Sequence, residues 1–204
     1  ITPQGLEAAI VQCKARGVHG AQPGPVTLTN ITERGTAYSL AEIRAITAVA
    51  HAHGLATHLD GARFANACAA LGCSPAEMTW QAGIDAVSFG GTKNGCMGVE
   101  AVVMFDPAHG RELALRRKRG GHLFSKHRYL SSQMVPYCDS GLWLEMAHSA
   151  NARMAQLVQG LARVPAARLA HPVAGNLAFI DVPRAAHIRA FAAGAQYYLF
   201  GGTP

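Results

Sequence analysis

What the sequence lacks narrows its class first. No run of about 18 uncharged apolar residues occurs, so no membrane-spanning helix is expected. No basic–apolar–small pattern opens it, so no secretory leader is expected either. Acidic residues are few: 12 Asp and Glu stand against 18 Lys and Arg, for a formal net charge of +6. The basic excess is concentrated in Arg111, Arg116, Arg117, Lys118, Arg119, Lys126 and Arg128. Such a stretch could be a nucleic-acid footprint, but no nucleic-acid motif accompanies it. The expectation is a solvated helix face; a second reading is that one or two of its cations reach a phosphate, and no nucleic-acid partner is expected. Cysteines are few and odd in number (Cys13, Cys68, Cys73, Cys96 and Cys138) and lack metal-site spacing. That fits free thiols in a reducing, cytoplasmic setting. No internal repeat or low-complexity segment stands out beyond general alanine richness.

What is present is a core. Half of the 204 residues are hydrophobic and 15% are charged, which is not the profile of a disordered chain. By length this is one domain, or one and a part. The chain begins at Ile1 and stops at Gly201-Gly202-Thr203-Pro204; both ends look cut, and a fragment is expected.

Two stretches organise the rest. Leu59-Asp60-Gly61-Ala62-Arg63 follows an apolar run, Leu55 to Leu59, that reads as a buried strand ending on a carboxylate. Ser88-Phe89-Gly90-Gly91-Thr92-Lys93-Asn94-Gly95 follows another, Ile84 to Phe89, and runs into a glycine-rich loop with one lysine. In open α/β sheets ligand chemistry sits beyond the carboxyl ends of parallel strands. A lysine and a carboxylate there are what pyridoxal phosphate requires. The amine condenses with the cofactor aldehyde, and the carboxylate keeps the pyridine nitrogen protonated.

Read in order, Pro3 to Arg16 has helical spacing and Gly17 as a stop. Val26 to Thr29 reads as a strand, and Asn30 to Tyr38 as a polar loop at its carboxyl end, hence a candidate active-site loop. Ser39-Leu40-Ala41-Glu42 is a capping box opening a helix that buries Leu40, Ile43, Ile46, Val49 and Ala50, with Gly54 ending it. Ala62 to Leu71 reads as a short helix, and Ser74-Pro75-Ala76-Glu77 opens another. Val99 to Phe105 reads as a strand, which puts Lys93 on a strand-to-strand connection. Pro107 to Arg119 and Lys126 to Val135 look helical, and Ser140 precedes a long helix carrying Leu142, Leu144, Met146, Met154 and Leu157. The pattern changes near Gly160, with strands expected at Asn176–Val182 and Gln196–Phe200 around a helix at Ala185–Ala193. The expected domains are 1–160, a large domain lacking its amino-terminal part, and 161–204, the start of a smaller α+β domain.

Each chemical residue has a bland alternative. Asp60 could simply cap the helix at Ala62. Lys93 alone would be a solvated lysine, but Gly90, Gly91, Gly95 and Gly98 around it permit close approach to a ligand. Arg63, one helical turn after Asp60, could fork onto a carboxylate or pair with a nearby acid. His51, His53 and His58 do not have metal spacing: the first two do not share a helix face, and no metal site is expected. Cys96 lacks a paired base.

These residues resemble a known family. His58-Leu59-Asp60-Gly61-Ala62-Arg63-Phe64-Ala65-Asn66-Ala67 is similar to the HxDGAR segment of low-specificity L-threonine aldolases. Ser88 to Gly95 is similar to their cofactor-lysine segment, and Thr32 to Ser39 to the preceding loop and cap. The likeness runs from about Val26 to Gly141. It implies an α/β, fold-type I large domain with a mostly parallel sheet, in a homodimer or homotetramer with sites at the dimer interface. It implies pyridoxal 5'-phosphate on Lys93, Asp60 at the pyridine nitrogen, and Arg63 at the substrate carboxylate. Lys126 and Arg128 fall near the family's basic residues, where one would reach a partner subunit's cofactor phosphate. The implied reaction is retro-aldol cleavage of L-threonine or L-allo-threonine to glycine and an aldehyde. The alternatives are β-elimination or racemisation on the same cofactor, or an inactive binding module. The family's phosphate-cradling loop and ring-stacking histidine have no counterpart before Val26, so cofactor binding by this chain alone is not implied.

Overall fold

A computed structural model describes residues 1–200. Helix α1 (Pro3–Ala15) begins where the Thr2 hydroxyl accepts from the Gly5 N–H at 3.1 Å and proline takes the first helical position. Strand β1 (Val26–Thr29) follows, and then helix α2 (Leu40–Ala52). The capping box at its start is formed: the Glu42 N–H donates to Ser39 Oγ at 3.2 Å, and the Ser39 N–H donates to Glu42 Oε2 at 2.8 Å. Helix α1 packs along α2, and its Leu6 and Ile10 join the core.

Strand β2 (Thr57–Gly61), helix α3 (Phe64–Leu71), the single turn α4 (Pro75–Met78), and strands β3 (Ala86–Gly90) and β4 (Glu100–Met104) complete the main sheet. The strand order is β1-β2-β3-β4; the first two pairings are parallel and the last is antiparallel. The reason for the reversal is length: only residues 91–99 join β3 to β4, and a parallel return needs a crossover of about a dozen residues or more. The lysine therefore sits in a short strand-to-strand connection, as expected.

Both central strands start two residues later than their apolar runs predict. The Leu55 N–H donates back to Ala50 O at 3.0 Å, and the Ile84 N–H to Thr79 O at 3.1 Å. Those donors belong to the preceding helical turns, so Ile84 is buried without joining the ladder. The register aligns Leu28, Leu59 and Val87 across three strands. They form one core cluster with Ile43, Ile46 and Ala50 of α2 and Phe64, Ala67 and Cys68 of α3.

After β4 come α5 (Gly110–Arg119), α6 (Arg128–Asp139) and α7 (Leu142–Leu161), the last packed on α3. Helix α5 buries nothing, and Glu112 pairs with Arg116 and Arg119 on it, so this part of the basic stretch is a solvated face. The carboxyl-terminal region departs from expectation. The strand expected over Asn176–Val182 shrinks to β6 (Ile180–Asp181), paired with an unforeseen β5 (Arg168–Leu169). Helix α8 (Arg184–Ala192) follows. Gln196–Phe200 is not a strand, because no described strand lies beside it to share a ladder. Instead Tyr197 turns back onto α8, its hydroxyl 2.8 Å from His187 Nδ1 and its ring against Phe191.

At the amino ends of β2 and β3, Asp85 pins the two strands together. Its Oδ2 accepts from the Thr57 N–H at 2.7 Å and the Thr57 hydroxyl at 3.0 Å, and lies 3.0 Å from His51 Nε2. Partial burial acts to raise this carboxyl's pKa, but the bonds from Thr57 and His51 outweigh it and hold the group below its ordinary value. A carboxylate whose folded pKa is depressed stabilises fully above its unfolded pKa, about 3.9, and loses that contribution as pH falls through the lower folded value. The side chain is 48% exposed, so solvent screening reduces the worth of these charged bonds to about 1 kcal/mol. Asp85→Ala is therefore expected to lower unfolding free energy by about that amount at pH 7 in urea melts. The gap from wild type should close as pH falls below about 3.9; a gap independent of pH would contradict this account.

Candidate active site

Three loops leave the same end of the sheet, since β1, β2 and β3 run parallel. They are residues 30–38, 62–63 and 91–99. The first folds on its own buried asparagine: Asn30 Nδ2 donates to Tyr38 O at 3.2 Å, and the Tyr38 N–H donates to Asn30 Oδ1 at 3.1 Å. It is tied to the carboxyl-terminal region by the Ala174 N–H, which donates to Gly35 O at 2.9 Å.

Asp60 is a strand residue rather than a helix cap. Helix α3 begins at Phe64 with Arg63 in the cap position, and Asp60 Oδ1 accepts from the Ala62 N–H at 3.0 Å, turning the chain just past the strand. The half-buried carboxylate has no other partner among the described residues, which leaves its second oxygen unpaired. The register sets Thr29 on one side of Asp60 and Ser88 on the other.

Lys93 lies in a single 3-10 turn, Thr92–Asn94. It is exposed and makes no hydrogen bond or ion pair among the described residues. Its neighbour Asn94 is buried and donates through Nδ2 to Tyr137 Oη at 2.6 Å and to Trp143 O at 2.8 Å. Further along, the Met97 N–H donates to Gln133 Oε1 at 2.7 Å, and Gln133 Nε2 donates back to Met97 O at 3.1 Å. The lysine loop is thus fastened to α6 and to the start of α7. Sequence reading missed Asn94 and Tyr137, because a buried asparagine in a glycine-rich loop looks like any other loop asparagine.

The two halves meet through backbone. A methyl group on Gly90 would stand 2.8 Å from Gly61 O and 2.9 Å from the Ala62 Cα, and one on Gly61 would stand 2.5 Å from Ser88 O. With no Cβ at either position, the chain leaving β3 toward Lys93 presses directly on the chain leaving β2 at Asp60. Only a lack of side chains permits this approach.

The other predicted residues are placed less centrally. Arg63 is half-buried and has no acid partner among the described residues, so the salt-bridge alternative is not realised there. Lys126, at φ +63, is exposed and donates to Ser125 Oγ at 3.2 Å. Arg128 lies over the Tyr129 ring at 5.4 Å. Neither is brought onto Asp60 or Lys93 within the described residues. The histidines weighed as metal ligands are separately engaged: His51 with Asp85, His53 with Glu7, and His58 with Ser88. Burial pushes the Cys96 thiol's pKa up, and Cys138 and Glu100 add to it, which opposes a role as an activated thiolate.

The donor set fits pyridoxal phosphate. Among the described residues, Lys93 offers a primary amine without a partner, and Asp60 offers a carboxylate oxygen without one. Because the join depends on bare backbone, Gly90→Ala is expected to destabilise the fold by about 1–3 kcal/mol through overpacking. Gly160→Ala, in α7, where an added methyl meets nothing within 4 Å, should stabilise by about 0.5–1 kcal/mol. Urea melts of the two variants check the contrast; equal effects would remove the argument for contact at Gly90.

Comparison with known proteins agrees with this fold. The beta-eliminating lyase family matches residues 1–185. The chain is 41% identical over 204 residues to the low specificity L-threonine aldolase of Pseudomonas sp. (strain NCIMB 10558), covering all of this chain and 58% of that protein. It is 41% identical over 202 residues to the enzyme of the same name from Pseudomonas aeruginosa, covering 99% of this chain and again 58% of that protein. The solved structure of Leishmania major threonine aldolase superposes with a TM-score of 0.88 at 27% identity, over all of this chain and 58% of that one. The chain therefore spans a little over half the length of these relatives, shares the fold-type I architecture expected of it, and belongs to the beta-eliminating lyase family.

Proposed function

We propose that this protein is a pyridoxal 5'-phosphate-dependent aldehyde-lyase. It cleaves L-threonine, L-allo-threonine and related β-hydroxy-α-amino acids to glycine and an aldehyde by retro-aldol reaction. One observation carries the reading: an amine and a carboxylate oxygen without partners among the described residues, in the loop after one strand and at the end of its neighbour, in a chain 41% identical along its length to low specificity L-threonine aldolases. Bound pyridoxal phosphate supplies an electron sink for the pair released when the Cα–Cβ bond breaks.

The chain's own residues have separate tasks. Lys93 provides the amine that would hold the cofactor aldehyde, and the Asn94 anchor fixes where that amine emerges. Asp60 would keep the ring nitrogen protonated, since a carboxylate beside that nitrogen favours its charged form. Arg63, with no competing acid, would fork onto the substrate carboxylate. Lys126 and Arg128, exposed and away from Asp60, would serve the cofactor phosphate of a partner subunit in a homodimer or homotetramer. Residues 1–160 form the cofactor-binding large domain, and 161–204 the beginning of a smaller one. No described helix is long and apolar enough to cross a membrane; together with five free cysteines, this supports a cytoplasmic location.

The family description also keeps β-elimination in view. Borohydride reduction of the full-length protein with pyridoxal phosphate should fix the cofactor to the peptide carrying Lys93, and Lys93→Ala should lower turnover at least about 1,000-fold. Threonine should yield acetaldehyde and glycine. Pyruvate and ammonia from serine or cysteine would instead support elimination, and cofactor fixed to another lysine would overturn the assignment of Lys93.

A further inference from the structure

The two faces of the sheet differ in a way the proposed chemistry has not used. Parallel strands are normally apolar on both faces. Here one face carries Leu28, Leu59 and Val87, and the other carries Thr27 and Thr29 of β1, His58 and Asp60 of β2, and Ser88 of β3. Alternation along β2 buries Thr57, Leu59 and Gly61 and leaves His58 and Asp60 together on the second face. On that face Ser88 is the register partner of Asp60, one strand away. Neighbouring strands lie about 4.8 Å apart, so a serine hydroxyl there is within reach of a carboxylate. Yet Ser88 Oγ is bonded elsewhere, 2.9 Å from His58 Nε2.

We propose that His58, in the tautomer with its proton on Nδ1, is a positioning residue for Asp60, acting through Ser88: its Nε2 then accepts the Ser88 hydroxyl proton and so keeps that proton off the Asp60 carboxylate. A serine has one hydroxyl proton to donate. With that proton committed to His58, Asp60 holds, among the described residues, only its bond from Ala62, and its second oxygen stays open. Without His58, the Ser88 hydroxyl would turn to the strongest acceptor in reach, the neighbouring carboxylate, because bonds to ionised acceptors are the stronger ones. Asp60 would then meet a ring nitrogen with a competitor already in place.

This inference rests on the reading of Asp60 as the carboxylate that faces the cofactor ring, and the test separates the two. In the full-length protein, wild type must first bind pyridoxal phosphate at Lys93, shown by visible absorption and borohydride fixation; failure here sinks the functional reading itself. His58→Ala should then raise the cofactor dissociation constant about tenfold and shift the bound cofactor's absorption band. It should also lower kcat more than it raises KM. His58→Phe, which keeps a ring but no acceptor, should do the same and serves if the alanine variant does not fold. Ser88→Ala alone should stay within about threefold of wild type. The double variant His58→Ala with Ser88→Ala should return to that range, because the competing hydroxyl is gone. A double variant as impaired as His58→Ala, or His58 variants that lower only the melting temperature, would overturn the proposal and leave His58 a packing residue.

Discussion

The backbone contact between the ends of β2 and β3 is the constraint on which the candidate site depends. Gly61 and Gly90 have no side chains to hold the two exits apart, and a single methyl at Gly90 would stand within 3 Å of backbone atoms of the other strand. The segment that carries a carboxylate one residue before Gly61 and the segment that leads to a lysine three residues after Gly90 are thereby held against each other. Protein interiors are close-packed and transmit such displacements rather than absorbing them, so the spacing of the two strand exits is set by main chain.

The contact alone would not aim the lysine. A connection of nine residues between antiparallel strands has freedom, and that freedom is removed from outside the sheet. Asn94 is buried on Tyr137 and Trp143, while Phe89 and Phe64 pack edge-to-face at 5.4 Å with Trp143 beside both. Burial raises the Tyr137 phenol's pKa although its bond with Asn94 opposes that. Helices α6 and α7, far along the chain from Asp60, thus belong to the site as its backing.

The sheet joins these two arrangements. Its apolar face, led by Leu28, Leu59 and Val87, fastens it to α2 and α3. Its polar face brings Thr29, Asp60 and Ser88 into one row. The same alternation that fixes the core therefore fixes which residues can influence the carboxylate.

Much of this was legible along the chain. Capping boxes at Ser39 and Ser74, helical periods, apolar runs and glycine stops are local signals, set by short-range sterics and hydrogen bonding. Asp60 and Lys93 were legible as candidates for the same reason, as residues just beyond apolar runs in glycine-rich company. Strand limits were less so, because Leu55 and Ile84 are claimed by helix ends that the pattern does not reveal. The run Gln196–Phe200 reads as a strand by composition, but a strand exists only with a partner, and Tyr197 found α8 instead. The sequence by itself determined which residues are candidates for chemistry and where the main helices, strands and loops lie, since those depend on neighbours along the chain. The tertiary structure alone decided that Gly61 meets Gly90, that Asn94 is anchored by Tyr137, and that His58 binds Ser88. Each of those is a contact between residues about 30 or more positions apart, and register and packing, not local preference, select such partners.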